Sequence, residues 1–364
     1  MKKSRIVFVI HALNIGGAER IMVTLLNHIS RDKYDIHLVI FRATGAFLTD
    51  LPSDIVLHDL GVSSAKKGIF PLIQKLYQLK PDIVFSGIGY LNALLSLFIP
   101  WINRFMPKPI HWIARETSIV SIIIKKERFT TLFEWLYRHT YHNFDTIVCQ
   151  SNYMKQDLFD TYGIPKTKMV VIHNPVDSER IKRLSMLPLS SSFDPNKINL
   201  IAVGALREVK RFDQLLEAFA TLDDRYVLTI VGGGVKEASL KAYARELKIE
   251  QAVSFVGHQS NPYAYMHKAD LLILTSEYEG FPNVLLEANS CGLPVLAFAC
   301  PGGVSEIIEE GINGHLIPCQ DIPALVEAIF AFEKGIYSPS LLQTHITQHY
   351  GIDKIIDQYE AILQ

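Results

Sequence analysis

The chain has 364 residues, 49% of them apolar and 20% charged, with 21 Gly, 17 Pro and a formal net charge of −1. This balance excludes a disordered tail, a collagen-like fibre and a coiled coil. The length suits two or three domains, each half long enough to bury its own core.

The net charge hides an asymmetry. Residues 1–175 carry 21 Lys+Arg against 13 Asp+Glu, a balance of +8, while residues 176–364 carry 15 against 24, a balance of −9. A basic first half attracts anionic lipid or a phosphorylated acceptor, or else its Lys and Arg merely solvate it.

The first apolar run, Ile6–Ile10, is five residues long. A secretory segment needs ~7–15 and a small-residue cleavage site after it, so this run reads as a buried strand. No run reaches the ~18 uninterrupted apolar residues of a membrane span. The longest, Leu91–Met106, is cut by Pro100 and carries Asn92, Asn103 and Arg104. A cytoplasmic protein is expected.

Further strands are predicted at Ile36–Phe41, Ile83–Phe85, Ile110–Ala114, Thr146–Cys149 and Met169–Ile172 in the first half. The second half has them at Leu200–Val203, Val227–Val231, Val253–Val256, Leu271–Leu274 and Val295–Ala297. Helical periodicity covers Glu19–Ile29, Phe212–Thr221, Ala238–Leu247, Pro282–Ser290 and Tyr350–Leu363. Alternation of this kind indicates βαβ units and parallel sheets, one in each half, with a ligand cleft expected between them.

The Ser- and Pro-rich stretch Leu184–Ile198 lacks periodicity. The expected division is an N-terminal domain at 1–180, a connector at 181–198, a C-terminal domain at 199–345 and a helical segment at 346–364. That segment either stays on the second domain or packs back on the first. Phe129, Leu132, Phe133, Leu136 and Tyr137 fall on one helical face behind Lys125, Lys126 and Arg128. Core packing explains the stripe, and so does contact with a membrane surface.

Cys149, Cys291, Cys300 and Cys319 show no CxxC spacing and read as small hydrophobes. There is no DxD triplet and no GxSxG, so neither a resident metal nor a serine hydrolase is expected. Gly16 and Gly17 lie at a strand-to-helix turn. There a bare backbone approaches a ligand closely, or simply turns. Gly232–Gly234 and Pro301–Glu306 are further glycine turns after strands, each open to the same two readings. None has the GxGxxG spacing of a dinucleotide fold.

The segment SEYEGFPNVLLE, residues 276–287, carries the most chemistry. Pro282 suits the first helical position, and the amides of Phe281, Asn283 and Val284 would then point out of a helix start. Glu279 before the helix and Glu287 within it can accept hydroxyls from a hydroxyl-rich ligand. Equally, Glu279 favours the helix dipole and Glu287 is solvated.

Together these segments resemble the retaining family-4 glycosyltransferases, which have the GT-B fold: two Rossmann-like parallel-sheet α/β domains facing a central cleft. The resemblance is carried by GGAER (16–20), VIHNPVD (171–177), VGALREVKRFDQLLEAF (203–219), IVGGG (230–234), HKADLLILTSEYEGFPNVLLEANSCGLPVLA (267–297) and CPGGVSEIIEEGINGHLIP (300–318). It implies a hexose or N-acetylhexosamine moved from a nucleotide sugar, UDP-linked by family frequency, to a hydroxyl of a membrane-anchored glycan. That places the enzyme in surface polysaccharide or polyprenyl-diphosphate-linked oligosaccharide synthesis, peripheral at the inner face of the membrane. No cofactor, metal or nucleic acid partner is implied. A soluble transferase with a small-sugar acceptor and a non-catalytic nucleotide-sugar binder are the alternatives.

By the same resemblance, Glu287 holds ribose hydroxyls and Glu279 the donor sugar. The amides of Phe281, Asn283 and Val284 hold sugar and diphosphate, and Gly233 lies in a donor-side loop. Lys210 neutralises diphosphate, and Gly16 and Gly17 let the first loop close. The sequence departs from the family in two places. Ala205 stands where an arginine is usual, with Arg207 two residues on. The strand ending Ala114-Arg115-Glu116 lacks the usual histidine, which makes Arg115 and Glu116 candidates near the reacting sugar, with His111 structural.

Overall fold

The computed structural model describes residues 3–126, 129–189 and 193–364. Arg128 of the basic cluster and residues 190–192 of the expected connector lie outside them. Seven strands form a first parallel sheet: β1 (Ser4–Ile10), β2 (Tyr34–Ile40), β3 (Val56–Asp59), β4 (Ile83–Ser86), β5 (His111–Arg115), β6 (Thr146–Cys149) and β7 (Met169–Val171). Their order is β3-β2-β1-β4-β5-β6-β7. Six form a second: β8 (Ile198–Val203), β9 (Tyr226–Val231), β10 (Val253–Gly257), β11 (Leu271–Leu274), β12 (Val295–Phe298) and β13 (Gly314–Ile317). Their order is β10-β9-β8-β11-β12-β13.

The central strands are buried on both faces, as in β1, where Ile6, Val7, Phe8 and Val9 are all inaccessible to solvent. Helices cover both sides of a parallel sheet, so such strands read as unbroken apolar runs. In each sheet the chain runs outward from a central strand and then jumps to the other side. The jumps fall between β1 and β4 and between β8 and β11. At such a switch point the loops leaving the carboxyl ends diverge and leave room for a ligand.

The chain divides into two compact units, Met1–Pro175 with Asp353–Gln364, and Val176–Ile352. In the second unit, the Val176 amide donates to the Tyr350 carbonyl at 2.8 Å, pairing the entering and leaving segments. In the first, Glu360 near the C-terminus accepts from the Ser30 amide at 2.9 Å and from Lys33 Nζ at 2.6 Å. Where a single last helix was expected there are two, Pro339–Tyr350 and Ile352–Ile362, broken at Gly351. A helix also occupies Ser178–Ser185, started by the Asp177 carboxylate accepting from the Arg180 amide at 2.9 Å.

Pro100 does not end its segment: one helix runs from Gly89 to Phe105. The expected stripe on the helix Thr130–His139 splits, with Phe133, Leu136 and Tyr137 in the core and Phe129 and Leu132 exposed. Among the described residues no helix is long and apolar enough to cross a membrane.

Candidate active site

The loops leaving β8 and β11 meet at the switch point of the second sheet. After β8 the chain passes Gly204–Arg207 into a short turn, Glu208–Lys210, then through Arg211 into the helix Phe212–Phe219. Arg211 is left-handed, with φ of 47°. An L-residue adopts that conformation only under outside constraint. Two constraints are present. The Arg211 guanidinium holds the Asp213 carboxylate at 2.9 Å, which pushes the arginine pKa up. The buried Thr275 hydroxyl, just past β11, is shared between the Lys210 and Arg211 carbonyls at 3.1 and 3.0 Å. The Glu277 amide donates to the Val209 carbonyl at 2.8 Å. The lysine-bearing turn is thus fixed to the end of β11.

That fixation joins two residues 69 positions apart. Lys210 Nζ donates to Glu279 Oε1 at 2.6 Å. The Ser276 hydroxyl donates to the same oxygen, also at 2.6 Å. The lysine and glutamate side chains keep 22% and 13% of their exposure, so the pair is mostly withdrawn from water yet reachable. Glu279 is anchored through its backbone as well, its amide donating to the Pro301 carbonyl at 3.0 Å. Gly302 makes this approach feasible: its φ is 119°, and a Cβ there would lie 1.5 Å from the Glu279 carbonyl oxygen. The Pro301–Gly303 turn therefore serves as the support under Glu279.

Pro282 stands immediately before the helix Asn283–Ser290 as its cap residue rather than in its first turn, and no side chain caps that helix. Glu287 lies one turn further and is half-buried, and its Oε1 accepts from the Tyr263 hydroxyl at 3.3 Å. The loop after β9 packs on the backbone of Gly204–Leu206. A Cβ on Gly232 would lie 1.9 Å from the Gly204 carbonyl, and one on Gly234 would lie 2.5 Å from that of Leu206. Gly233, between them, meets nothing closer than 3.8 Å. Arg207 is exposed at the start of the lysine-bearing turn, and its carbonyl accepts from the Lys210 amide at 3.1 Å.

Gly16, Gly17, Arg115 and Glu116 belong to the first unit. Gly16 precedes the helix that begins at Gly17, in an extended conformation open to any residue. Arg115, at the carboxyl end of β5, is 1% exposed. Its Nη2 donates to Asn174 Oδ1 at 2.6 Å, and its Nε to the Tyr359 hydroxyl at 3.0 Å. Glu116 is also buried, and its Oε1 accepts from Tyr141, from Tyr137 at 3.1 Å and from Asn92 at 3.3 Å. Burial raises its pKa, against the lowering effect of those bonds and of Arg115. His111 opens β5 at the opposite end of the strand, 3.8 Å from Asp145.

Burial pushes the Cys149, Cys291 and Cys300 thiols up, which keeps them protonated and unreactive. Among the described residues no group of three or more His, Cys, Asp or Glu could hold a metal ion. Sequence reasoning passed over Ser276, Thr275, Arg211 and Tyr263. The first three adjoin residues it had singled out, but short hydroxyls beside a glutamate look like turn residues.

Two Rossmann-like parallel-sheet domains of this strand order have the GT-B fold of glycosyltransferases. Residues 15–180 match the model of Glycosyltransferase Family 4, and residues 189–336 that of Glycosyl transferases group 1. The two cover most of the chain, which belongs to this family and is a glycosyltransferase. The Campylobacter jejuni N-acetylgalactosamine-N,N'-diacetylbacillosaminyl-diphospho-undecaprenol 4-alpha-N-acetylgalactosaminyltransferase is 28% identical, over 85% of this chain and 84% of its own. The Escherichia coli lipopolysaccharide 1,6-galactosyltransferase is 30% identical, over 57% and 56% respectively. Anabaena HepE, solved in complex with UDP, superposes with a TM-score of 0.79 over 99% of both chains at 20% identity.

Proposed function

We propose that this glycosyltransferase moves a hexose or N-acetylhexosamine, with retention of configuration, from a UDP-sugar to a hydroxyl of a lipid-anchored glycan in bacterial surface glycan synthesis. The Lys210–Glu279 pair at the carboxyl end of the second sheet carries the reading. Transfer breaks the bond from the anomeric carbon to phosphate oxygen while negative charge grows on the departing diphosphate. A preorganised cation aimed at that oxygen stabilises the transition state more than the ground state. Lys210 supplies it, with Arg207 contributing from the same turn and the amides of Phe281, Asn283 and Val284 from the adjoining helix start. Glu279, itself bonded by the Ser276 hydroxyl, holds the lysine in place before any donor arrives.

The second Glu279 oxygen faces the donor sugar, and Glu287, steadied by Tyr263, accepts from the ribose hydroxyls. The acceptor oxygen bonds to the anomeric carbon on the face the diphosphate leaves. Its proton passes to the departing phosphate oxygen, so no protein base is required. Arg115 and Glu116 act from the first unit by holding the carboxyl end of β5 in place.

The lipid-linked acceptor of the Campylobacter relative and the UDP bound to Anabaena HepE support the choice of substrates. A thermal-shift screen of UDP-, GDP- and ADP-sugars tests the donor. A ligand at a hundred times its dissociation constant stabilises the folded form by about 2.7 kcal/mol, which is read as a rise in Tm. UDP-sugars alone should raise it; a rise with GDP- or ADP-sugars only would overturn the donor assignment.

A further inference from the structure

In the first unit the helix Gly89–Phe105 packs between the helices Ala65–Leu79 and Thr130–His139. Its outward side is apolar where a helix facing only water would be polar. Leu97, Trp101 and Phe105 recur at every fourth residue and are 44%, 51% and 60% exposed. Phe70 on the neighbouring helix is 67% exposed. The rings are arranged together: Phe70 meets Phe98 at 6.0 Å, Tyr77 meets Trp101 at 6.3 Å, and Trp101 meets Phe105 at 5.4 Å between centroids. Between the two helices lies an open groove of about 500 Å³ lined by Phe70, Ile73, Gln74, Tyr77, Gln78 and Trp101.

The two helices contain Lys66, Lys67, Lys75 and Arg104 and no Asp or Glu. A surface joining exposed Trp and Phe to basic residues alone is complementary to an anionic lipid headgroup layer above acyl chains. The face is exposed, and its rings contact one another. The helix is too short and too well packed on its other side to span a bilayer.

We infer that this face, and not the segment around residues 125–137, seats the first unit on an anionic membrane, with Phe70, Trp101 and Phe105 entering the headgroup–acyl boundary. The inference concerns membrane contact only and does not depend on donor or acceptor identity. Its test therefore uses neither, and failure of the transferase reading would leave it standing.

The full chain is centrifuged with phosphatidylcholine vesicles that do or do not contain about one-third phosphatidylglycerol. Wild-type protein should sediment with the anionic vesicles and be released by salt, since screening sets in over ~10 Å at 0.1 M. F70S/W101S should lower the partition coefficient at least about tenfold. Its melting temperature should fall by only a few degrees, because Phe70 and Trp101 are 67% and 51% exposed. F129S/L132S/W135S removes the exposed apolar residues of the competing segment and should retain most binding. The inference is overturned if wild-type protein ignores anionic vesicles or if F70S/W101S binds like wild type. It is also overturned if F70S/W101S instead converts a vesicle-free dimer to monomer, which would make the face a contact between copies of this chain.

Discussion

Replacing Lys210 by Gln removes the cation from a pair with a 2.6 Å contact and leaves the Glu279 carboxylate with the Ser276 hydroxyl as its remaining side-chain donor. The two effects of this change differ in size. For stability, fully exposed pairs contribute ~0–1 kcal/mol, and breaking a fully buried one costs about 3–5 kcal/mol. At 22% and 13% exposure this pair lies between those limits, so a loss of about 1–3 kcal/mol is expected. In a unit of this size that lowers Tm by about 2–12 °C, at about 2–4 °C per kcal/mol. For turnover, removing one preorganised donor from a developing oxyanion typically costs about 10²–10³ in kcat. K210Q should therefore remain folded at assay temperature and lose transfer. E279Q keeps an acceptor for both Lys210 and Ser276 and leaves the lysine charge intact, so it should lose less turnover than K210Q. Initial transfer rates from a UDP-sugar, measured beside the melting curves of all three proteins, separate the effects. A K210Q protein with a lowered Tm and wild-type kcat would show that the pair only braces two loops.

Glu287→Ala should weaken UDP binding about 10- to 150-fold by calorimetry, since a carboxylate accepting two hydroxyls contributes ~1.5–3 kcal/mol. Gly302→Ala should abolish the fold of the second unit or lower its Tm steeply, because the added Cβ meets the Glu279 carbonyl at 1.5 Å. Gly311→Ala, also at positive φ but with nothing within 4 Å, should cost only about 1 kcal/mol. Glu116 predicts a pH dependence. Its pKa is raised by burial above the ordinary value of 4.5, so the folded state holds its proton to higher pH than the unfolded state does. The stability this contributes is complete below the ordinary value and declines as pH rises toward the folded one. Glu116→Gln should flatten that decline in urea titrations, whereas Glu116→Ala should destabilise at every pH by stranding the donors Tyr137, Tyr141 and Asn92.

The central strands were legible because burial on both faces leaves little but apolar residues. Thr146–Cys149 and Leu271–Leu274 coincide with their expected bounds, and the others shift by one or two residues at an end. The two strands the reading did not find, β3 and β13, are edge strands. Val56 and Leu57 of β3 are exposed, and β13 opens on a glycine, so neither shows an apolar run. The break at Gly351 was hidden because helical periodicity continues across it. A Cβ at Gly351 would approach the Thr347 carbonyl to 2.4 Å, a contact visible only once the chain is folded. At the site, the importance of Lys210 and Glu279 came from resemblance. Their direct contact spans 69 positions and depends on Thr275, Ser276 and Gly302, whose roles are set by sheet order.

The account's central claim is that the carboxyl end of the second sheet holds the donor. Crystals grown with a non-hydrolysable UDP-sugar test it most directly. The account predicts diphosphate oxygens within hydrogen-bond reach of Lys210 Nζ and of the amides opening the helix at Asn283, with ribose hydroxyls on the Glu287 carboxylate. Diphosphate bound away from both Lys210 and that helix would contradict it.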